Sequence, residues 1–395
     1  MRRTTIERLG VGAACSVLAG ALVFAAVRSD GYRANEVTLH DGSVWVTKPT
    51  RIGRYNAALE LVDTQTPSFG AGVGDLLQVD DRVLLTTDTG KLVAIDVAQA
   101  NSRSETTLPP GALVALGGQN GALLDPASSR LWFTDGIAVG SIEAAPEEPG
   151  AEVTPGFVEL DGATDVVVGT DGAAHVLARA SGLLWSLATA FDLEPTGQVA
   201  PDGPATAAAT DGTTAPSTPT SGALADDGVQ PPAPRELGGE LADIELSTAG
   251  GRAIVLDRAG SRLLVDDGRA IMIPDTIGET SRLQLPSADD RIVLVAGENG
   301  LYAIDLESES ITAVADGQGS GTIRPVRLRG CSFAAWAAGS VEACDDRPQR
   351  SEPTPEGWAD PVGFRTNRGE IVLNFDDGNL LAYTEDGIVK IGDYG

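Results

Sequence analysis

The stretch Gly90-Lys-Leu-Val-Ala-Ile-Asp96 returns in altered form as Gly300-Leu-Tyr-Ala-Ile-Asp305. Both begin with a glycine and continue as a short apolar run that ends on aspartate. Runs of this kind follow or include eight glycines, namely Gly53, Gly90, Gly136, Gly182, Gly260, Gly300, Gly339 and Gly378. The steps between them are 37, 46, 46, 78, 40, 39 and 39 residues. A period near 40 residues is typical of four-stranded β-propeller blades, so the sequence predicts an all-β propeller.

Most of these runs are preceded by a second apolar run. Arg82-Val-Leu-Leu-Thr-Thr87 comes before Gly90, and Arg291-Ile-Val-Leu-Val295 comes before Gly300. The turns between them are rich in Gly, Asn and Asp, which accept the positive φ that tight hairpins need. Each pair is therefore predicted to form a β-hairpin, and stacking the hairpins around an axis buries a continuous core. An unrelated array of β-sandwiches is the competing fold.

One step, of 78 residues, is about twice as long as the others because it contains a segment rich in Pro, Thr, Ala and Gly. Residues 194–240 have too few apolar side chains to offset the chain entropy of folding, so a disordered insertion is predicted within a propeller at residues 36–395. No strands are expected after the last hairpin, so the first and last segments are expected to share one blade. Seven blades are predicted on this basis, and eight is the alternative.

The first 30 residues indicate where the propeller lies. Residues 9–27 carry no charge and follow Arg2, Arg3 and Arg8. As a helix, such a segment spans about 28 Å, close to the hydrocarbon thickness of a bilayer. The positive-inside rule then makes residues 1–8 a short cytoplasmic tail and places the propeller outside. The prediction is a single-pass protein of the cell membrane with an extracytoplasmic propeller, and a cleaved signal peptide is the alternative.

Two cysteines follow the apolar segment, which itself contains Cys15. Cys331 and Cys344 are 13 residues apart. On the outer side of a membrane, a lone pair at this spacing predicts a disulfide across one hairpin. Two unpaired buried thiols are the alternative.

The charge balance excludes one class of partner. The chain has 56 acidic and 28 basic residues, which gives a formal net charge of −28 at pH 7. Such a domain repels nucleic acid and anionic lipid headgroups. The expected partners are therefore the membrane, through one helix, and a protein or cell-wall component.

No motif for catalysis, cofactor binding or metal binding is evident in the sequence, and the residue types that supply such sites are interpreted as structural. His40 and His175 are the two histidines, and each lies beside an apolar strand, as expected for a strand-edge or core histidine. Acidic doublets lack the alternating spacing of calcium loops and are interpreted as turns. They are Asp80-Asp81, Asp226-Asp227, Asp266-Asp267, Asp289-Asp290, Asp345-Asp346 and Asp376-Asp377. Core packing is predicted for Trp45, Trp132, Trp185, Trp336 and Trp358.

The runs that end in Ile95-Asp96 and Ile304-Asp305 resemble the outer-strand signature of quinoprotein (PQQ) and YVTN-type propeller repeats. In those repeats a Thr-Gly turn and a tryptophan follow the aspartate, and both are missing here. The resemblance implies the propeller fold without a quinone cofactor.

Three further strings resemble the N-terminal propeller of large actinobacterial surface proteins that continue into Ig-like or fibronectin type III repeats. The strings are Asp41-Gly-Ser-Val-Trp-Val-Thr47 with Gly53-Arg-Tyr-Asn56, Gly330-Cys331-Ser-Phe-Ala-Ala-Trp336, and Phe364-Arg-Thr-Asn-Arg-Gly-Glu-Ile-Val-Leu-Asn374. The resemblance implies an extracellular propeller at the cell surface. The repeats are not in this sequence, which is expected of a short relative or of part of a longer protein.

Taken together, these patterns predict a membrane-anchored extracytoplasmic propeller that acts as a non-catalytic binding or scaffolding module. A propeller hydrolase or lyase that uses loop carboxylates, with calcium as a cofactor, is the alternative.

Overall fold

The computed structural model describes residues 43–48, 50–67, 72–136, 138–141, 157–188, 231–274, 277–278 and 280–392. These ranges contain 31 strands and a 3₁₀ turn at Ala138–Ser141. The strands are β1 (Val44–Lys48), β2 (Arg51–Asn56), β3 (Leu61–Pro67), β4 (Val73–Val79), β5 (Arg82–Thr87), β6 (Lys91–Asp96), β7 (Asn101–Thr107), β8 (Leu113–Gly117), β9 (Asn120–Asp125), β10 (Arg130–Asp135), β11 (Val158–Glu159), β12 (Asp165–Val168), β13 (Ala174–Ala178), β14 (Leu183–Leu187), β15 (Arg235–Glu236), β16 (Ile244–Ala249), β17 (Arg252–Asp257), β18 (Arg262–Val265), β19 (Ala270–Met272), β20 (Arg282–Leu283), β21 (Ile292–Gly297), β22 (Gly300–Asp305), β23 (Ile311–Asp316), β24 (Val326–Leu328), β25 (Cys331–Trp336), β26 (Gly339–Cys344), β27 (Arg350–Pro353), β28 (Pro361–Asn367), β29 (Glu370–Phe375), β30 (Leu380–Tyr383) and β31 (Ile388–Ile391).

The strands form eight antiparallel sheets, each built from strands that are consecutive in the chain. Blade 1 contains β1–β3. The other seven have four strands each: β4–β7, β8–β11, β12–β15, β16–β19, β20–β23, β24–β27 and β28–β31 are blades 2 to 8. The predicted propeller is confirmed.

The prediction of seven blades is wrong, and the alternative of eight is correct. The error was the expectation that the two ends of the chain share one blade. β31 follows the last predicted hairpin, so blade 8 takes all four strands from one continuous segment, and β1–β3 form a sheet of their own. Each of the eight recurring glycines therefore belongs to a blade of its own.

The recurring glycines mark the third strand of each blade, but they are needed for two different reasons. Gly90, Gly182 and Gly378 lie in turns with φ of +74°, +65° and +84°, where side chains are strained. Gly339 begins β26, and a Cβ there would come within 2.7 Å of the Glu352 carbonyl oxygen. A close backbone approach, rather than a turn, requires glycine at that position.

Apolar side chains fill all eight interfaces between neighbouring blades. The inner strands are covered on both faces, which explains their Val, Ile and Leu content. The predicted packing of tryptophans is confirmed, because Trp45, Trp132, Trp185 and Trp336 are buried in four different interfaces. Trp358 packs edge-on against Phe375, with ring centroids 5.0 Å apart.

Blade 1 has no inner strand in the described part of the chain. The inner strands of its neighbours, β28 and β4, contact each other in front of β1. Two side-chain amides bond to the backbone at the start of β1. Gln78 accepts a hydrogen bond from Trp45 N (2.8 Å) and donates to Ser43 O (3.1 Å). Asn367 donates to Ser43 O (2.8 Å) and to Asp80 O (3.1 Å).

Several predictions from the N-terminal part of the sequence lie outside the described residues. These are the cytoplasmic tail at residues 1–8, the apolar helix at residues 9–27, and the placement of His40. Within the described ranges, no helix has the length and apolar character needed to cross a bilayer. Of the predicted insertion, residues 194–230 are outside the described ranges, whereas residues 231–240 are inside them and include β15.

Replacing Asn367 with Ala is expected to lower the free energy of unfolding by about 2 kcal/mol, because two carbonyl oxygens at the closure of the ring lose their donor. Asn367 is only 6% exposed, so water does not readily replace the amide. Chemical denaturation measures the change. Asn101→Ala, at an exposed strand end, is the control and should change the value by less than about 0.5 kcal/mol. Equal effects of the two substitutions would contradict the closing role of Asn367.

Candidate functional site: the central channel

The inner strands enclose a cavity of about 520 Å³ at the centre of the ring. Residues of blades 2, 3, 4, 6 and 8 line it, and most of its wall is apolar, as at Leu77, Leu116, Val168, Leu285 and Phe364. The cavity is larger than those of about 330 Å³ and 360 Å³ that lie between neighbouring blades. A concave, mainly apolar cavity of this size with few polar groups is typical of a ligand site.

Most uncharged polar side chains of the channel hold the blades together. Gln78 bonds to the backbone of blade 1, as described above. Asn120 donates to the carbonyl oxygen of Gly172 in blade 4 (2.8 Å). Gln119 accepts a hydrogen bond from Arg82. These groups therefore rigidify the wall and offer little of their hydrogen-bonding capacity to a ligand.

Three charged residues line the cavity, and they differ in how they are neutralised. Asp80 forms an ion pair with Arg368 at 3.1 Å. Arg365 bonds to Asp75 at 3.0 Å. Asp171 forms no ion pair with any residue that the structure describes, and its Oδ1 accepts a hydrogen bond from Ala173 N (3.1 Å).

A further cation lies behind the wall of the channel. The guanidinium of Arg324 donates to the carbonyl oxygens of Leu283 (3.0 Å), Leu246 (3.2 Å) and Gln284 (2.7 Å). Gln284 directly precedes Leu285, which lines the cavity. Burial lowers the pKa of Arg324, which Glu245 raises in part. Because its acceptors are neutral carbonyls, Arg324 remains a weakly compensated cation.

His175 is a core residue on β13, as predicted. It is 2% exposed, and its Nδ1 lies 2.9 Å from Ser186 Oγ. Its Nε2 is buried without a hydrogen-bond partner in the described part of the chain. Burial lowers the pKa of His175, and the charges of Asp266 and Asp171 counteract part of this effect. The ring is therefore neutral at pH 7.

The described acidic doublets act as turn residues, in line with their interpretation from the sequence. Asp289 accepts hydrogen bonds from the backbone N–H groups of Arg291 and Ile292. Asp80 itself occupies the left-handed region with φ of +55°. The aspartates at the ends of the repeated runs have the same use: Asp305 Oδ1 accepts from the N–H groups of the following turn, at 2.9 and 3.0 Å.

The predicted disulfide is confirmed. Cys331 and Cys344 lie directly opposite each other on β25 and β26, with Cα atoms 4.0 Å apart. Glu342, which is 1% exposed, lies beside them and pairs with Arg347. Among the described residues, Cys331, Glu342 and Cys344 are the one group of three close potential metal ligands. Both sulfurs are joined to each other, so the group is a structural crosslink.

Sequence reasoning did not identify the charged residues of the channel. Asp171 appeared only as part of an Asp-Gly turn, and Arg365 only within a string used for a resemblance. They are 194 positions apart in the chain. Only the closed ring brings both to one cavity.

Comparison with known proteins identifies the fold alone. No protein-family model matches the chain. No curated protein matches it. Among solved structures, dihydro-heme d1 dehydrogenase NirN is similar, with a TM-score of 0.55 and 11% identity over 89% of this chain and 72% of that chain. The computationally designed Ika8 protein gives a TM-score of 0.53 and 12% identity over 89% and 93%. BamB from Moraxella catarrhalis gives 0.48 and 11% over 86% and 92%. At such identities a shared propeller implies no shared activity.

The free energy of unfolding is expected to fall as the pH is lowered below about 6.5, the ordinary pKa of histidine, because His175 binds its proton less readily in the folded state than in the unfolded chain. The loss continues until the pH reaches the lowered pKa of the folded state. His175→Gln retains a polar partner for Ser186 and should reduce this dependence between pH 7 and pH 5. Urea denaturation across that range measures both proteins. Identical slopes would contradict the assignment.

Proposed function

We propose that this protein is a membrane-anchored, extracytoplasmic propeller that acts as a binding module at the cell surface and holds its ligand in the central channel. The observation that carries the proposal is the cavity of about 520 Å³, with apolar walls and two charged groups on different blades. The apolar segment at residues 9–27 and the arginines before it support the membrane anchor.

Binding is favoured over hydrolysis or lysis by the roles of the described polar side chains. The loop carboxylates considered for catalysis hold turns or ion pairs, as Asp289 and Asp305 do. His175 is directed into a blade interface, where it contacts Ser186. A general base must reach the proton that it removes, and a histidine packed in a core is poorly placed for that task.

The disulfide and the high acidity support an extracytoplasmic location. Disulfides persist in oxidising compartments and are rare in the cytosol. The net charge of −28 favours a protein or cell-wall ligand over nucleic acid.

A charge placed in the apolar segment is expected to prevent both membrane retention and oxidation of the disulfide. In Leu18→Arg, the guanidinium costs about 2.5–3.5 kcal/mol at the centre of a bilayer on insertion scales. The full chain is expressed in bacteria, and the readouts are membrane fractionation and trapping of free thiols at Cys331 and Cys344. Arg51→Leu, on an exposed strand position, is the control. A Leu18→Arg chain that remains in the membrane with its disulfide formed would contradict the proposed anchor.

A bulky residue at the channel mouth is expected to abolish ligand binding. Thr170 lines the cavity and is exposed, so Thr170→Trp narrows the channel without disturbing the core. The full chain is heated with and without a muropeptide digest of cell wall or a peptide digest of surface proteins. We expect the wild type to gain ~2 °C or more in Tm, and Thr170→Trp to gain nothing.

The matched control is Thr107→Trp, at an exposed position on the outer strand of blade 2. This variant should respond to the digests as the wild type does. A loss of the response in both variants, or in neither, would contradict binding in the channel.

A further inference from the structure

The channel carries opposite charges on facing walls. Asp171 lies on the turn between β12 and β13 of blade 4, and Arg365 lies on β28 of blade 8. In a closed ring of eight blades, blades 4 and 8 are opposite each other. Both residues line the same cavity. A molecule that spans the channel therefore meets a carboxylate at one end and a guanidinium at the other.

The carboxylate of Asp171 is exposed and held in a fixed position. Its Oδ1 accepts from Ala173 N, and two glycines border the carboxylate. A Cβ on Gly169 would come within 2.5 Å of Oδ1, and a Cβ on Gly251 within 2.4 Å of Oδ2. The absence of side chains at both positions leaves room around the carboxylate. No described cation forms an ion pair with it, so its charge is available to an ammonium group.

The opposite wall has more positive than negative charge. Arg365 shares Asp75, which is 59% exposed, and its Nε is buried without an acceptor among the described residues. Arg324 donates only to main-chain carbonyls, and no described carboxylate lies within ion-pair distance of it. Two guanidiniums therefore accompany one carboxylate. Arginine donors suit a carboxylate ligand, because charge-assisted hydrogen bonds to guanidinium are strong and directional.

The wall between the two charges is apolar. Leu77, Leu116, Val168, Leu285 and Phe364 contribute to it. This surface favours a ligand whose body is apolar and whose charges are confined to its ends.

From these features we propose that the channel binds a short apolar peptide with free termini, its α-ammonium group at Asp171 and its α-carboxylate at Arg365. The inference rests on the proposed binding function and specifies its ligand class. An extended chain advances at most 3.3–3.6 Å per residue, so the distance between the two charged walls selects peptides of one length. The peptide termini found in cell-wall fragments and protein digests supply this chemistry.

The test uses isothermal titration calorimetry on the full chain, with the same detergent in cell and syringe. The probes are apolar peptides of two to five residues, built from Leu and Gly. Each is used with free termini, with an acetylated N-terminus, and with an amidated C-terminus. We expect one length to bind most tightly, and either cap to weaken its binding about tenfold or more.

Three variants assign the two ends. Asp171→Asn should bind the free and acetylated peptides equally and still discriminate against the amide. Arg365→Gln should show the reverse pattern. Asp75→Asn removes the competing carboxylate from Arg365 and should tighten binding of the free peptide severalfold. These patterns distinguish contact with a terminus from a general loss of folding, because each variant retains one of the two discriminations.

Equal affinities for free and capped peptides in the wild type would overturn the inference, as would the same response to the caps in Asp171→Asn and Arg365→Gln. If Thr170→Trp still abolishes the response to the digests, that result leaves the channel as the binding site and removes only the peptide termini as its ligand. If Thr170→Trp binds the digests and the free peptide like the wild type, the proposed function and this inference both fail.

Discussion

Closure of the ring depends on two side-chain amides that replace a strand. A propeller closes by making its last blade meet its first, and a hydrogen-bonded strand shared between the chain ends is one way to do so. Here, Gln78 and Asn367 reach from blades 2 and 8 to the start of β1, and both donate to Ser43 O. An unpaired backbone group buried in the ring would cost about 1–3 kcal/mol, so the amides allow a three-stranded blade to stand among four-stranded ones.

The same closure determines the chemistry of the channel. Because β28 and β4 touch in front of blade 1, side chains of blade 8 reach those of blade 2 directly. Arg365 consequently meets Asp75, and Arg368 meets Asp80, across a junction that the ring would otherwise separate. Eight blades therefore surround the channel with seven inner strands in the described part of the chain. The position of Arg365 follows from the number of strands that line the ring.

The period of the sequence predicts the blades because a strand-turn-strand unit needs the same residues wherever it occurs. Asp305 shows this at one turn, where its carboxylate accepts two backbone N–H groups. The number of blades was harder to predict, since it depends on how the two ends of the chain meet. That meeting is decided by Gln78 and Asn367, whose amides resemble any other polar side chain of a strand in the sequence.

The channel could not be predicted for a related reason. A site that forms within one turn leaves a local motif, whereas this one combines a turn residue of blade 4 with a strand residue of blade 8. Asp171 fulfils an ordinary turn role through Oδ1 and still presents its charge to the cavity. One atom of the residue satisfies the local backbone, and the carboxylate as a whole contributes to the electrostatics of the channel. A turn explains why an aspartate occurs at this position, and only the facing wall, with Arg365 and Arg324, gives its charge a complementary partner across the cavity.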